Sequence, residues 1–202
     1  GTPYINLSKK SIEVLPDGTE ASIVVESNVD YTISSSENWC KVDKDLGVSG
    51  RQTFNITIAE SGYTNKRTAT IKVVNSKYGI TEEIDVSQGA FSPSLEVSDT
   101  AIHTTIAGDN KKVTVTSNIS WTATCEADWI TLTPVNGSSG TKTLDIVIAA
   151  NEVTSSRTAT IKVINSEYGI TKEIAVNQGA FSPSLEVSDT AIHTTIAGDN
   201  KK

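Results

Sequence analysis

Apolar residues alternate with polar ones in short runs along the whole chain, and no stretch keeps a helical period. The runs are rich in Val, Ile and Thr, with Gly, Asn, Asp and Ser between them, a pattern that predicts strands joined by turns. Ile5 and Leu7 open an edge strand. Ile12 and Val14 continue it with the opposite parity, so a kink or crossover is expected near Lys9 and Lys10. Ile23, Val25, Val29, Tyr31 and Ile33 hold one parity through two strands that meet around Ser27-Asn28. The runs Trp39 to Val42, Phe54 to Ile58, Ala69 to Val73 and Ile80 to Val86 follow. The last two predict a hairpin, Arg67–Asn75 and Ile80–Gln88, closed by Ser76-Lys77-Tyr78-Gly79. About seven or eight strands with closely spaced turns imply an all-β, immunoglobulin-like antiparallel sandwich of two sheets.

The pattern then returns without a gap. Pro3 to Ala90 aligns with Pro93 to Ala180 at 36 identities in 88 positions, and residues 91–112 recur letter for letter as 181–202. A period that long marks whole domains in tandem. The chain reads as one sandwich at 3–90, a second at 91–180, and the opening strands of a truncated third repeat at 181–202, an excerpt from a longer array. In the stub, Leu185, Val187 and Ile192 are apolar residues separated from their core. The stub is expected to pack on a neighbouring molecule or domain by adding to an exposed sheet edge. The linker from Gln88 to Pro93 is too short for a loose tether, so the array is expected to be semi-rigid with Phe91 wedged between domains.

Charge and cysteine usage narrow the function. The net charge of −7 is spread as −3 in each full repeat and −1 in the tail, with no basic patch, which speaks against nucleic acid. No apolar run is long enough for a membrane-spanning helix. Cys40 aligns with Ile130 and Cys125 with Ser35, so each domain holds one thiol and no disulfide framework exists. His103 and His193 are copies of one position, occupied by Glu13 in the first repeat. No titratable groups converge, and no cofactor motif appears, so no enzyme is expected. Asp43 and Asp45 bring calcium to mind, but Thr133 and Val135 replace them in the second repeat. No metal site is expected.

The repeats differ unevenly. From Arg67 to Lys112, 41 of 46 positions match the next repeat; from Ile23 to Lys66, 13 of 44 do. The matching stretch carries the last hairpin, the linker and the next domain's opening strands. Any ligand surface that differs between repeats belongs to the divergent middle strands and loops.

Several motifs resemble the BACON domain. In the first repeat they are Ser27-Asn28-Val29-Asp30-Tyr31, Trp39, the Gly47–Gly50 turn, Arg67-Thr68-Ala69-Thr70-Ile71 and Val86-Ser87-Gln88-Gly89. In the second they are Ser117-Asn118-Ile119-Ser120-Trp121, Asp128-Trp129-Ile130, Gly137–Gly140, Asn151, Arg157-Thr158-Ala159-Thr160-Ile161 and Val176-Asn177-Gln178-Gly179. The resemblance implies an immunoglobulin-like, Bacteroidetes-associated carbohydrate-binding module. Such modules are attached to surface glycoside hydrolases and other exported gut-bacterial proteins, and similar arrays occur in tail-associated proteins of crAss-like phages. It implies an extracellular place, on a cell surface or a phage virion. The function expected is a spacer and glycan-adhesion unit, with cell-surface or mucin glycans and adjacent identical repeats as partners. The alternative is an accessory carbohydrate-binding module of a surface glycoside hydrolase lying outside this fragment.

Sugars dock on exposed rings, so the aromatic residues are the candidate contacts. Tyr78 and Tyr168 sit at a hairpin tip, beside Gly79 and Gly169. Tyr31 and Trp121 complete the candidate set, although they share the parity of inward residues. Trp39 and Trp129 precede an apolar strand and are expected in the core.

Overall fold

The computed structural model describes residues 1–191 and residue 196. Its strands fall into two compact units, Gly1–Pro93 and a second that begins at Ser94. In the first unit, β1 (Ile5–Leu7), β3 (Thr19–Ser27), β7 (Gly50–Ile58) and β5 (Cys40–Val42) form one sheet in the order β1-β3-β7-β5. The other sheet holds β2 (Ser11–Val14), β9 (Ile80–Gln88), β8 (Arg67–Asn75), β4 (Tyr31–Ser35) and β6 (Leu46–Gly47), in the order β2-β9-β8-β4-β6. The second unit repeats both sheets. Its strands are β10 (Leu95–Val97), β11 (Ala101–Thr104), β12 (Asp109–Ser117), β13 (Trp121–Cys125), β14 (Ile130–Thr133), β15 (Asn136–Gly137), β16 (Gly140–Ile148), β17 (Arg157–Asn165) and β18 (Ile170–Gln178). Their orders are β10-β12-β16-β14 and β11-β18-β17-β13-β15.

The parity change after Leu7 is a change of sheet. β1 pairs antiparallel with β3, and the chain then crosses over so that β2 pairs parallel with β9. Ser8 makes the departure possible. Its N–H donates to the Val24 carbonyl at 2.9 Å, and its Oγ accepts the Val24 N–H at 2.9 Å, so no ladder group is left open. Ser98 does the same against Thr114, at 2.9 and 3.0 Å. The hairpin of β8 and β9 pairs Asn75 with Ile80 and Arg67 with Gln88, over the span expected. Each unit has nine strands rather than seven or eight. The difference is the split opening strand and a two-residue strand, Leu46–Gly47 or Asn136–Gly137, too short to show a period.

Between the sheets lies a core of inward residues. Ile23, Val25, Phe54, Ile56, Ile71, Val73, Ile84 and Val86 are buried in the first unit, and Val113, Val115, Leu144, Ile146, Ile161, Val163, Ile174 and Val176 in the second. Each such side chain contributes about 1.5–3 kcal/mol on burial, against a comparable ordering entropy. Residues 181–191 form no strand, and Leu185 and Val187 are 94% and 66% exposed. Ile192 and His193 lie outside the described residues. Phe91 is half-buried, and its N–H donates to the Tyr63 carbonyl at 2.8 Å.

Candidate functional site

Of the motif residues repeated in both units, Ser27, Ile71, Val86 and Gln88 are buried, as are their counterparts Ser117, Ile161, Val176 and Gln178. Gln88 is fully buried. Its Nε2 donates to the carbonyls of Leu15, Pro16 and Ala59 at 3.2, 3.1 and 2.9 Å, and its Oε1 accepts Arg67 Nε at 2.7 Å. Arg67 also donates through Nη2 to the carbonyls of Ala59 and Glu60. Its guanidinium lies 4.2 Å from the centroid of the Trp39 ring. In the second unit Gln178, Arg157 and Trp129 repeat this, with Arg157 Nε to Gln178 Oε1 at 2.8 Å and the guanidinium 4.3 Å from the Trp129 centroid. The cluster ties the end of the last strand to the segment before β3 or β12 and to the end of β7 or β16. Trp39 and Trp129 are therefore half-buried rather than enclosed in the core. The ring face turned to the guanidinium is already occupied, so a sugar cannot stack there.

Tyr31 and Trp121 do not present a ring to solvent. They are 4% and 2% exposed, a correction to their candidacy as sugar contacts. Each ring packs on a glycine. A Cβ at Gly47 would lie 2.1 Å from Tyr31 Cζ, and one at Gly137 would lie 2.1 Å from Trp121 Cε2. Burial also holds the Tyr31 phenol above its usual pKa. The Gly-x-x-Gly turn is thus explained at both ends: the first glycine admits the ring, and Gly50 and Gly140 adopt φ of 110° and 103°. Gly137→Ala is expected to displace the Trp121 ring and to cost about 1–3 kcal/mol. A changed near-ultraviolet dichroism together with a lower denaturation midpoint would report it.

The hairpin tips remain open. Tyr78 is 49% exposed, with Lys77 Nζ 5.1 Å from its ring centroid. Tyr168 is half-buried, and desolvation followed by the Glu167 carboxylate holds its phenol above the usual value. Asn75 fixes the first tip: its Oδ1 accepts the Tyr78 N–H at 2.8 Å and its Nδ2 donates to the Asp30 carbonyl at 2.7 Å. Asn165 repeats both contacts with Tyr168 and Ser120. The most exposed ring in the described residues is one the sequence reading passed over. Tyr63 is 68% exposed, and the Arg67 guanidinium lies 5.7 Å from its centroid, on a different ring from the closer Trp39 contact. Its counterpart is Val153, so this platform belongs to the first unit alone. Of the four sequence candidates, two lie in cores and two on hairpin tips, one of each in either unit.

Other chemistry is spoken for. Asp43 Oδ1 accepts the Asn55 N–H at 2.7 Å and Oδ2 accepts Asn55 Nδ2 at 2.9 Å. The backbone bond from Asn55 leads in holding this carboxyl below its usual pKa. Burial pushes the Cys40 thiol up, partly offset by a bond with Ser35. Among the described residues, no group of three His, Cys, Asp or Glu is placed to hold a metal ion. His103 is exposed. Among the described residues, no helix is long and apolar enough to cross a membrane.

The family described as the viral BACON domain matches residues 5–90 and 94–181, one match on each sandwich. The chain belongs to that family. It is also similar to a xyloglucan-specific endo-β-1,4-glucanase of Bacteroides ovatus, 33% identical over 64 residues, or 32% of this chain. The chain spans 12% of that enzyme's length. The solved structure of the Bacteroides ovatus GH5 xyloglucanase with a XXXG heptasaccharide matches with 28% identity and a TM-score of 0.41, over 44% of this chain and 19% of that one. The Z1Z2 domains of titin in complex with telethonin match over 91% of this chain and 98% of that one, with 12% identity and a TM-score of 0.48. The BACON signature in this chain is chiefly a set of packing and hydrogen-bonding requirements. The rings that face solvent lie outside it or at its margin.

Proposed function

We propose that this chain is a non-enzymatic, externally displayed spacer of tandem BACON domains. The observation that carries this reading is the buried Gln–Arg cluster against a half-buried Trp, made with the same partners in both units. Residues that recur because they stabilise a fold leave each repeat free to vary its surface, as a module that holds things apart requires. A second reading, weak glycan adhesion on a cell surface or virion, is favoured by the solvent-facing rings of Tyr63 and Tyr78 and by the partial likeness to a xyloglucanase. It extends to an accessory role beside a glycoside hydrolase. Calorimetric titration with xyloglucan oligosaccharides and mucin glycans separates the two. A spacer gives flat titrations at saccharide concentrations of about 1 mM, which leaves any binding weaker than about −4 kcal/mol. Adhesion gives measurable heat that Tyr63→Ala or Tyr78→Ala removes without changing the unfolding midpoint. Heat that survives both substitutions would count against this placement of the site.

A further inference from the structure

The short strands β6 and β15 share a backbone role and differ in chemistry. Each is two residues long and lies on the edge of its five-stranded sheet. In the first unit it reads Leu46-Gly47; in the second it reads Asn136-Gly137, the one Asn-Gly pair in the sequence. Asn136 is exposed. An asparagine followed by glycine can close a five-membered ring on its own backbone, because glycine has no Cβ to obstruct the approach to its nitrogen. The strand pairs Thr122 with Asn136 and Trp121 with Gly137, and the Ala123 N–H donates to the Val135 carbonyl at 2.8 Å. Alternation along the ladder makes Thr122 and Asn136 the close, non-hydrogen-bonded pair. Accordingly the Thr122 hydroxyl donates to Asn136 Oδ1 at 3.1 Å. In the first unit the hydroxyl of Thr32 turns instead to the Val74 carbonyl at 3.4 Å. Gly137 is the last residue of its ladder, so fraying of a single pair releases its N–H. Opening is also cheap because Trp121 Nε1 is buried without a hydrogen-bond partner and gains one in water.

We propose that Asn136 is a site of spontaneous deamidation, assisted by Thr122, that converts it to aspartate and isoaspartate. Hydroxide takes the proton from the Gly137 N–H, and the nitrogen attacks Asn136 Cγ. The N–Cγ bond forms as negative charge builds on Oδ1, where the Thr122 hydroxyl already donates. The Cγ–Nδ2 bond then breaks, and the amide leaves as ammonia after taking a proton from water, which restores hydroxide. The product is a succinimide ring. Water opens it at either carbonyl: breaking N–Cγ gives aspartate, and breaking the bond from nitrogen to the backbone carbonyl carbon gives isoaspartate. In sum one water enters and one ammonia leaves, with no oxidant or reductant. Either product adds a negative charge to a chain already at −7. Isoaspartate also adds a carbon to the backbone beside Gly137, where a Cβ would already lie 2.1 Å from Trp121 Cε2. The cover over Trp121 therefore loosens in the second unit alone, since Leu46 has no amide to lose.

Incubation of the full chain at mildly alkaline pH, followed by proteolysis and mass mapping, tests this. Conversion is expected at Asn136 faster than at any other asparagine, at a rate that rises with hydroxide concentration. Asn136→Gln should abolish it, because the longer side chain would have to close a six-membered ring. Thr122→Val is expected to slow the folded chain by about threefold, the worth of a weak neutral hydrogen bond. In urea, where Thr122 and Asn136 no longer meet, Thr122→Val and the wild-type chain should react alike. After conversion, a chain with Trp39 and Trp129 replaced by Phe should show Trp121 fluorescence more readily quenched by acrylamide. An Asn136 amide lost no faster than those of the other asparagines overturns the proposal. So does an equal or faster rate in folded Thr122→Val, or quenching of Trp121 that conversion leaves unchanged.

Discussion

Gln178→Leu is expected to lower the stability of the second unit by about 2–4 kcal/mol, although the two side chains are similar in size. Gln178 is buried, and its Nε2 donates to the carbonyls of Thr105 and Ala149, both at 3.0 Å. Leucine makes none of these bonds, and the half-buried Arg157 Nε–H loses its partner, whereas the Thr105 carbonyl keeps the Gly108 N–H at 3.2 Å and the Ala149 carbonyl keeps Arg157 Nη2 at 2.9 Å. A lost bond to a charged group costs about 1.5–3 kcal/mol and each neutral one about 0.5–1.5 kcal/mol, offset in part by the apolar area that leucine buries. Arg157 then loses the contact that orients its guanidinium over Trp129, so the ring should become more accessible. Urea unfolding followed by tryptophan fluorescence in a Trp39→Phe background reports the second unit alone. Gln88→Leu should produce a comparable loss in the first unit. A loss below about 1 kcal/mol in both would mean that the cluster is incidental to the fold, and the spacer reading would lose its main support.

That cluster shows which parts of the molecule the sequence reveals and which it conceals. Strand positions are local properties, carried by period-2 alternation, so the change of sheet near Lys9 and the β8–β9 hairpin can be read directly from the chain. The role of a motif residue depends on partners far away in sequence. Gln88 bonds Arg67 at 21 residues' distance and Leu15 at 73. No spacing rule predicts those contacts. The parity of Tyr31 and Trp121 pointed inward, and burial agrees with parity over their candidacy as sugar contacts. Tyr63 went unnoticed for a different reason: it lies in a loop without period, in the divergent stretch, and has Val153 as its counterpart. Glu126 is likewise unremarkable as a letter. Its counterpart Ser36 donates its N–H to the Thr70 carbonyl and accepts the Thr70 N–H on its Oγ, contacts that no local pattern announces.

Glycine substitutions should separate two costs that the sequence alone cannot distinguish. Gly108 and Gly140 both adopt positive φ, at 82° and 103°. A Cβ at Gly140 meets nothing within 4 Å, so Gly140→Ala carries backbone strain alone, about 1–2 kcal/mol. A Cβ at Gly108 would lie 2.4 Å from the Ile148 carbonyl oxygen and 3.0 Å from the Ala149 carbonyl carbon and the Ala150 nitrogen. These are backbone atoms at the end of β16. Ile148 pairs with Asp109 on one side and Ile130 on the other, so the strand cannot yield without breaking its ladders. Gly108→Ala is therefore expected to cost about 3–5 kcal/mol, strain and overlap together. That is a large part of the roughly 5–15 kcal/mol that holds a small domain folded. Gly18 has the same geometry against Ile58, with φ of 77° and an approach of 2.4 Å, so Gly18→Ala should do to the first unit what Gly108→Ala does to the second. The same fluorescence-monitored unfolding measures Gly108→Ala and Gly140→Ala, and Gly18→Ala is read from Trp39 with Trp121 and Trp129 replaced by Phe. Equal losses for Gly108→Ala and Gly140→Ala would show that the turn before β12 relaxes away from Ile148, and the close approach would then have no energetic weight.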